Sequence, residues 1–334
     1  MAEWDRVLQA THNKYVKGVI DETLEHRLMF WTLKKMGKIK YNQFGDQLTW
    51  RVKKAKRTLN TYDDGEQVTF QRVNLYASPA LPWRGYTMED MITKKERLMN
   101  KGDAAIFKVY DSMVESMRED FTELLNAEFW RDGNATGMTS RFHGIESIFG
   151  YTASTASYAT SNESYAGIAM SAVYGTNSAT SYFCPCLHDE HNTVHTWASA
   201  PLTVVRYTIQ GAIHGNTPKG RPTMVVTDKV RYLDFKAALQ AEEEIMAGDR
   251  DMTYAGFQNV TFDGIPVTFD EDHAASCLHA LNFNHIELNI LGSQLIEAES
   301  EYDIGRKAFV FSMDTFGNFK INPRFQAKSA DFSS

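Results

Sequence analysis

The stretch Asp103–Gly133, DAAIFKVYDSMVESMREDFTELLNAEFWRDG, carries the longest periodic signal in the chain. Ile106, Tyr110, Met113, Met117, Phe121, Leu124 and Phe129 step by three, four or five residues, the spacing of one helix face. Asp103 stands where a cap belongs and Gly133 where a helix stops. The spacing predicts one helix over 103–130, about 40 Å long at ~1.5 Å per residue. That exceeds the usual globular helix, so it reads as a scaffold that spans a domain. Its methionines read as core packing.

Upstream, Leu24, Leu28, Trp31 and Leu33 recur at helical spacing, with Asp21 as a cap and Gly37 as a stop. The period then changes. In DQLTWRV (Asp46–Val52), Leu48, Trp50 and Val52 alternate with polar residues, which is strand spacing. Asp64-Gly65 supplies a tight turn, and Val68 and Phe70 alternate after it. The segment predicts one long β-hairpin, which is marginal alone and needs a surface to lie on. Its run of Arg51, Lys53, Lys54, Lys56 and Arg57 reads either as a solvated edge or as a basic strip that meets acidic surface on another copy. Ser78–Tyr86, SPALPWRGY, reads as a connector, because two prolines and a glycine fall in it.

Downstream of the long helix, Tyr151–Tyr182 is rich in Ser, Thr, Ala, Gly and Tyr and carries a single charge, Glu163. It reads as loops and short edge strands. LTVVRYTIQGAI (Leu202–Ile213) reads as a strand, Met224–Thr227 as a buried strand, and Asp228 as the cap of the helix that follows. FQNVTFDGIPVTFD (Phe257–Asp270) reads as a hairpin turning at Asp263-Gly264. LNFNHIELNIL (Leu281–Leu291) and Gly305–Phe325 read as strands, the latter interrupted at Gly317. The sum is a mixed α+β chain without a βαβα rhythm.

The chain has 334 residues, 43% apolar and 23% charged, so it is long enough for a real core and reads as globular. Its net charge of −7 argues against a surface built to grip nucleic acid, which neutralises phosphates with Lys and Arg. Three cysteines, Cys184, Cys186 and Cys277, argue against a disulfide framework. The N-terminus shows no signal peptide and no apolar run is long enough to span a membrane.

No dinucleotide, phosphate-loop, nucleophile-elbow or zincin motif occurs, so no catalytic residue or cofactor is expected. The cluster CPCLHDEHNTVH (Cys184–His195) is the one metal-like constellation: Cys184, Cys186, His188 and His191 or His195 offer thiolate and imidazole donors. Its C-x-C-x-H-x-x-H spacing is not the paired spacing of a structural finger, and it reads as a loop decoration or local staple. Asp270-Glu-Asp-His273 reads as a solvated turn.

The ordered set of elements resembles the major capsid proteins of tailed phages, with the Hong Kong 97-like fold. Gly220–Gln240 (GRPTMVVTDKVRYLDFKAALQ) is similar to the strand and helix of their axial domain. Gly256–Asp272 (GFQNVTFDGIPVTFDED) resembles their recurrent hairpin, Leu278–Ile290 the strand after it, and Lys307–Phe325 their closing strands. The resemblance implies an α+β fold in five parts. These are an N-terminal arm (1–37), an extended β-hairpin loop (38–77), a peripheral domain (78–150) with spine helix 103–130, an axial domain (151–280), and return strands of the peripheral domain (281–334).

It implies a subunit that assembles with itself into hexamers and pentamers of an icosahedral shell. The shell encloses double-stranded DNA without sequence-specific binding, in a virion assembled in the host cytoplasm and without a membrane. A portal and a decoration protein belong to the implied partners. No scaffolding segment precedes the arm here, so a separate scaffolding protein is expected. The implied inter-subunit contacts are Trp50, Arg51, Lys53, Lys54, Lys56, Arg57, Asp63, Asp64 and Gly65. Some relatives join a hairpin lysine to an asparagine of the next subunit. Asn318 and Asn322 lie in the corresponding region, with no motif that fixes a pairing. The competing readings are a nanocompartment (encapsulin-like) shell, a zinc-binding protein centred on Cys184–His195, and a phage tail or connector protein.

Overall fold

The computed structural model describes residues 27–53, 57, 59–61, 63–65, 67, 72, 74–99, 103–149, 164–169, 183–189, 197, 200–215, 217–241, 252–253 and 257–330. In chain order, helix α1 (Leu28–Lys35) is followed by strands β1 (Ile39–Lys40), β2 (Gln47–Thr49), β3 (Val52–Lys53), β4 (Tyr76–Ala77), β5 (Ala80–Pro82) and β6 (Arg84–Thr93). Helices α2 (Lys94–Met99), α3 (Asp103–Trp130) and α4 (Glu146–Phe149) come next, then β7 (Ser164–Tyr165), β8 (Ile168–Ala169) and β9 (Cys186–Asp189). Helix α5 (Pro201–Ala212), strand β10 (Met224–Thr227) and helix α6 (Lys229–Ala241) lead to β11 (Asn259–Phe262), β12 (Ile265–Phe269) and β13 (Cys277–Leu281). The chain closes with β14 (Ile286–Ile290), β15 (Glu297–Asp303), β16 (Ala308–Ile321) and β17 (Ala327–Ala330). The expected cap Asp21 and the arm before residue 27 lie outside the described residues.

Two larger sheets form among the described residues. One has five strands, β1-β14-β16-β15 with β6 also on β16; the other has six, in the order β11-β12-β10-β13-β17-β9. The six-stranded sheet separates two cores because strand side chains alternate. Val225, Leu278, Ala280 and Ala327 face α5 and α6. Met224, Val226, Cys277, Leu281 and Ala330 face the core that also holds the buried end of α3.

Helix α3 ends at Trp130, as its spacing predicts. Val114, Met117, Phe121, Leu125 and Phe129 are buried, the i, i+3, i+4 stripe of a helix packed on one side. Leu124, expected on that stripe, is 57% exposed, and Leu125 takes its place at 2%. The stripe drifts because 3.6 residues per turn is not a whole number. The helix end is closed by a returning chain: Ile145 donates its N–H to the Phe129 carbonyl at 2.7 Å. Gly144 beside it has no room for a side chain, since a Cβ there would sit 2.5 Å from the carbonyl oxygens of both Glu128 and Phe129.

Local signals held well elsewhere. Asp228 caps α6 through the Arg231 N–H. Asp263 and Gly264, with φ of 50° and 77°, make the two-residue turn between β11 and β12.

Three expectations are corrected. Leu202–Ile213 is not a strand but α5. Its valines and threonines favour strands, yet Leu202, Val205, Thr208, Ile209 and Ala212 fall on one buried helical face behind Pro201 at the first turn. Ser78–Tyr86 is not a mere connector: β5 pairs with β2, and β6 runs ten residues along β16. Gly317 does not interrupt β16, where it pairs with both Arg84 and Ile290. The described strands after residue 281 divide between the two sheets: β14, β15 and β16 lie in the five-stranded one, and β17 lies in the six-stranded one between β13 and β9.

Candidate functional site

The segment expected to form the extended loop, 38–77, is anchored at its root. Leu48, Val52 and Leu81 are buried, and β2–β5 and β3–β4 tie its two arms together. Trp50 packs on Tyr165 of its own chain, with ring centroids 6.3 Å apart, so much of its surface is spent internally. Beyond the root, Arg51, Lys53, Arg57, Asp63, Asp64 and Gly65 are exposed. Leu59 is 97% exposed. Gly65 has φ of 88° and Asp63 accepts the Asp64 N–H at 2.8 Å, so the expected turn forms. Lys54, Lys56, Val68 and Phe70 lie outside the described residues. One continuous hairpin is therefore described only at its root and its turn.

The five-stranded sheet carries an acidic face. Cross-strand register sets Glu89, Ser312 and Glu299 in one row and Met91, Val310 and Glu301 in the next. Glu89, Glu299, Glu301 and Asp303, with Val310 and Ser312, line an open groove that Ile304 and Arg306 also border. Ile304 is 80% exposed at the turn between β15 and β16. Val230 and Leu233, one turn apart on α6, are also exposed. These faces and the basic loop are among the surfaces that a single copy leaves uncovered.

The Cys184 cluster is only partly described. Cys184 and Cys186 are buried thiols, and β9 runs parallel to β17 with Cys186 opposite Ala327. Burial pushes the Cys186 thiol up to about 11, and the neighbouring Cys184 adds to this. His188 lies two residues on in β9. His191 and His195 lie outside the described residues. Asn318 is fully buried: its side chain donates to the Pro82 carbonyl at 2.9 Å and accepts the His143 N–H at 2.9 Å.

A second polar constellation was not legible in the sequence. Asp270 and His273, expected in a solvated turn, are buried, and Asn126 of α3 donates to Asp272 at 2.6 Å. His273, Cys277 and His279 come together in the interior, each offering a ligand atom within 4.8 Å of the others. Beside them, Lys328 donates to both carboxylate oxygens of Glu146, at 2.7 and 2.6 Å. Burial by itself would raise the Glu146 carboxyl, but Lys328 and His279 overcome it and hold it well below the usual carboxylate range. The short H-x-x-x-C-x-H spacing was the available signal. What it lacked was Glu146 and Lys328, which arrive from far along the chain.

Neither family models nor curated protein sequences match the chain. Solved structures do. A capsid subunit of cyanophage A-1(L) superposes with a TM-score of 0.61 at 13% identity, covering 90% of this chain and 92% of that one. The capsid of a native GTA particle gives 0.55 at 9% identity, covering 89% of each. The SrpI encapsulin of Synechococcus elongatus PCC 7942 gives 0.53 at 7% identity, covering 90% and 88%. The chain therefore has the Hong Kong 97-like capsid fold. The likeness covers about nine-tenths of the chain.

Proposed function

We propose that this chain is the major capsid protein of a tailed double-stranded DNA phage. Copies assemble into hexamers and pentamers of an icosahedral shell that encloses the genome. The observation that carries the reading is the pairing of this fold with a projecting basic loop and an acidic sheet face on the same subunit. A loop that carries Arg51, Lys53 and Arg57 outward is complementary to the Glu89, Glu299, Glu301 surface of a second copy. Each contact is weak alone, and a closed shell repeats it. The subunit works by assembly and not by catalysis, with a separate scaffolding protein, a portal and a decoration protein as partners. Its place is the virion, after assembly in the host cytoplasm.

The likeness to the SrpI encapsulin supports a second reading, a nanocompartment shell. Electron microscopy of the protein expressed alone, and then with its neighbouring genes, tests both. Closed particles containing DNA support the phage shell, and closed particles containing protein support the nanocompartment. A monodisperse monomer under every condition overturns both.

A further inference from the structure

The buried triad of His273, Cys277 and His279 contains a close contact between two imidazole nitrogens. His273 Nδ1 lies 2.8 Å from the Ala274 carbonyl, which can only accept, so this nitrogen carries the proton. His279 Nε2 lies 3.1 Å from Glu146 Oε1. That carboxylate is held ionised by Lys328 Nζ on both oxygens, and although its approach to the ring lacks hydrogen-bond geometry, the negative charge beside Nε2 favours the proton on that nitrogen. The remaining nitrogens, His273 Nε2 and His279 Nδ1, then face each other lone pair to lone pair at 2.7 Å. A cation between them removes that repulsion.

The surroundings suit a metal. Cys277 and His279 are two residues apart on β13 and so project from one face of the sheet, towards the turn that carries His273. Both rings are buried, and each sets its outer nitrogen near an oxygen, one a backbone carbonyl and one a carboxylate. Those are the outer partners that fix and orient metal-bound imidazoles. One thiolate and two imidazoles are a donor set that suits zinc. We propose that His273 Nε2, His279 Nδ1 and Cys277 Sγ bind a divalent ion of the zinc class. The ion pins the 270–274 turn to β13 in the core shared by the six-stranded sheet and α3. With Zn–N near 2.0 Å, tetrahedral ligation needs the two nitrogens about 3.3 Å apart, so the rings part by roughly half an ångström on binding. This site is separate from the Cys184 cluster and does not depend on the shell reading.

The test is the metal content of the full chain, purified without a metal-affinity tag, followed by refolding with cobalt(II). About one zinc per subunit is expected, and cobalt should show four-coordinate visible bands with a thiolate charge-transfer band. Cys277→Ser should abolish that charge-transfer band and weaken zinc binding at least tenfold. The Cys184→Ser, Cys186→Ser double variant should keep both metal and band. Three results overturn the inference. One is wild-type protein that stays metal-free after refolding with zinc, its two rings sharing a proton. Another is metal that disappears with Cys184 and Cys186. The third, decisive if Cys277→Ser fails to fold, is a wild-type cobalt spectrum without thiolate charge transfer.

Discussion

Lys328 Nζ lies 2.6 Å from Glu146 Oε2, and the lysine side chain is only 2% exposed. The pair links β17, the last described strand, to α4 just after the spine helix. Desolvating two charges is expensive, and the pair roughly offsets that only while both partners remain. Glu146→Gln leaves the ammonium buried and uncompensated, and should lower unfolding free energy by about 3–5 kcal/mol. Replacing both, Glu146→Leu with Lys328→Met, should recover most of the loss. Urea unfolding of the unassembled subunit measures this, and a single variant as stable as wild type would refute it.

Adjacent leucines on the spine helix should behave oppositely. Leu125 is 2% exposed and Leu124 is 57% exposed. Leu125→Ala should cost about 2–5 kcal/mol, through lost burial and the cavity left behind. Leu124→Ala should stay within about 0.5 kcal/mol in the isolated subunit. Equal losses would mean that the helix is rotated from the position described.

Charge reversal on the loop should separate folding from assembly. Arg51, Lys53 and Arg57 are exposed, so changing all three to Glu should barely move the unfolding midpoint. Particle yield should fall steeply, as it should when Lys54 and Lys56 are reversed as well. Adding Glu299→Lys and Glu301→Lys on the same chain should restore some assembly. Normal shells from the reversed loop would refute the electrostatic contact, and unrescued loss would place the loop on a different surface.

Acid should weaken the fold before the carboxylates titrate. Burial, with Arg84 nearby, lowers His143 from 6.5 to about 3. Burial, with Arg324 nearby, lowers His214 from 6.5 to about 4. Below about pH 6.5 the unfolded chain takes up protons that the folded one refuses, so stability rises with pH across this window and falls as pH drops towards 4. His143→Gln should flatten the slope of unfolding free energy between pH 6.5 and 4, measured by urea titration at each pH. An unchanged slope would show that His143 is not buried neutral.

Much of this protein was determined by its sequence alone, wherever the cause is local. The spine helix ends where its period and its glycine say, Asp228 caps α6, and Asp263-Gly264 turns the hairpin between β11 and β12. Each rests on hydrogen bonds or backbone angles within a few residues. The helical identity of α5 came from its packing on the six-stranded sheet, which overrode the strand preference of its valines and threonines. Likewise, β17 found its sheet only because β13 and β9 each left an edge for it. The meeting of Glu146, His273, His279 and Lys328 needed four segments brought together through burial. Sequence spacing carries no information about which distant charges burial will force into one another's company, and that was left to the tertiary structure.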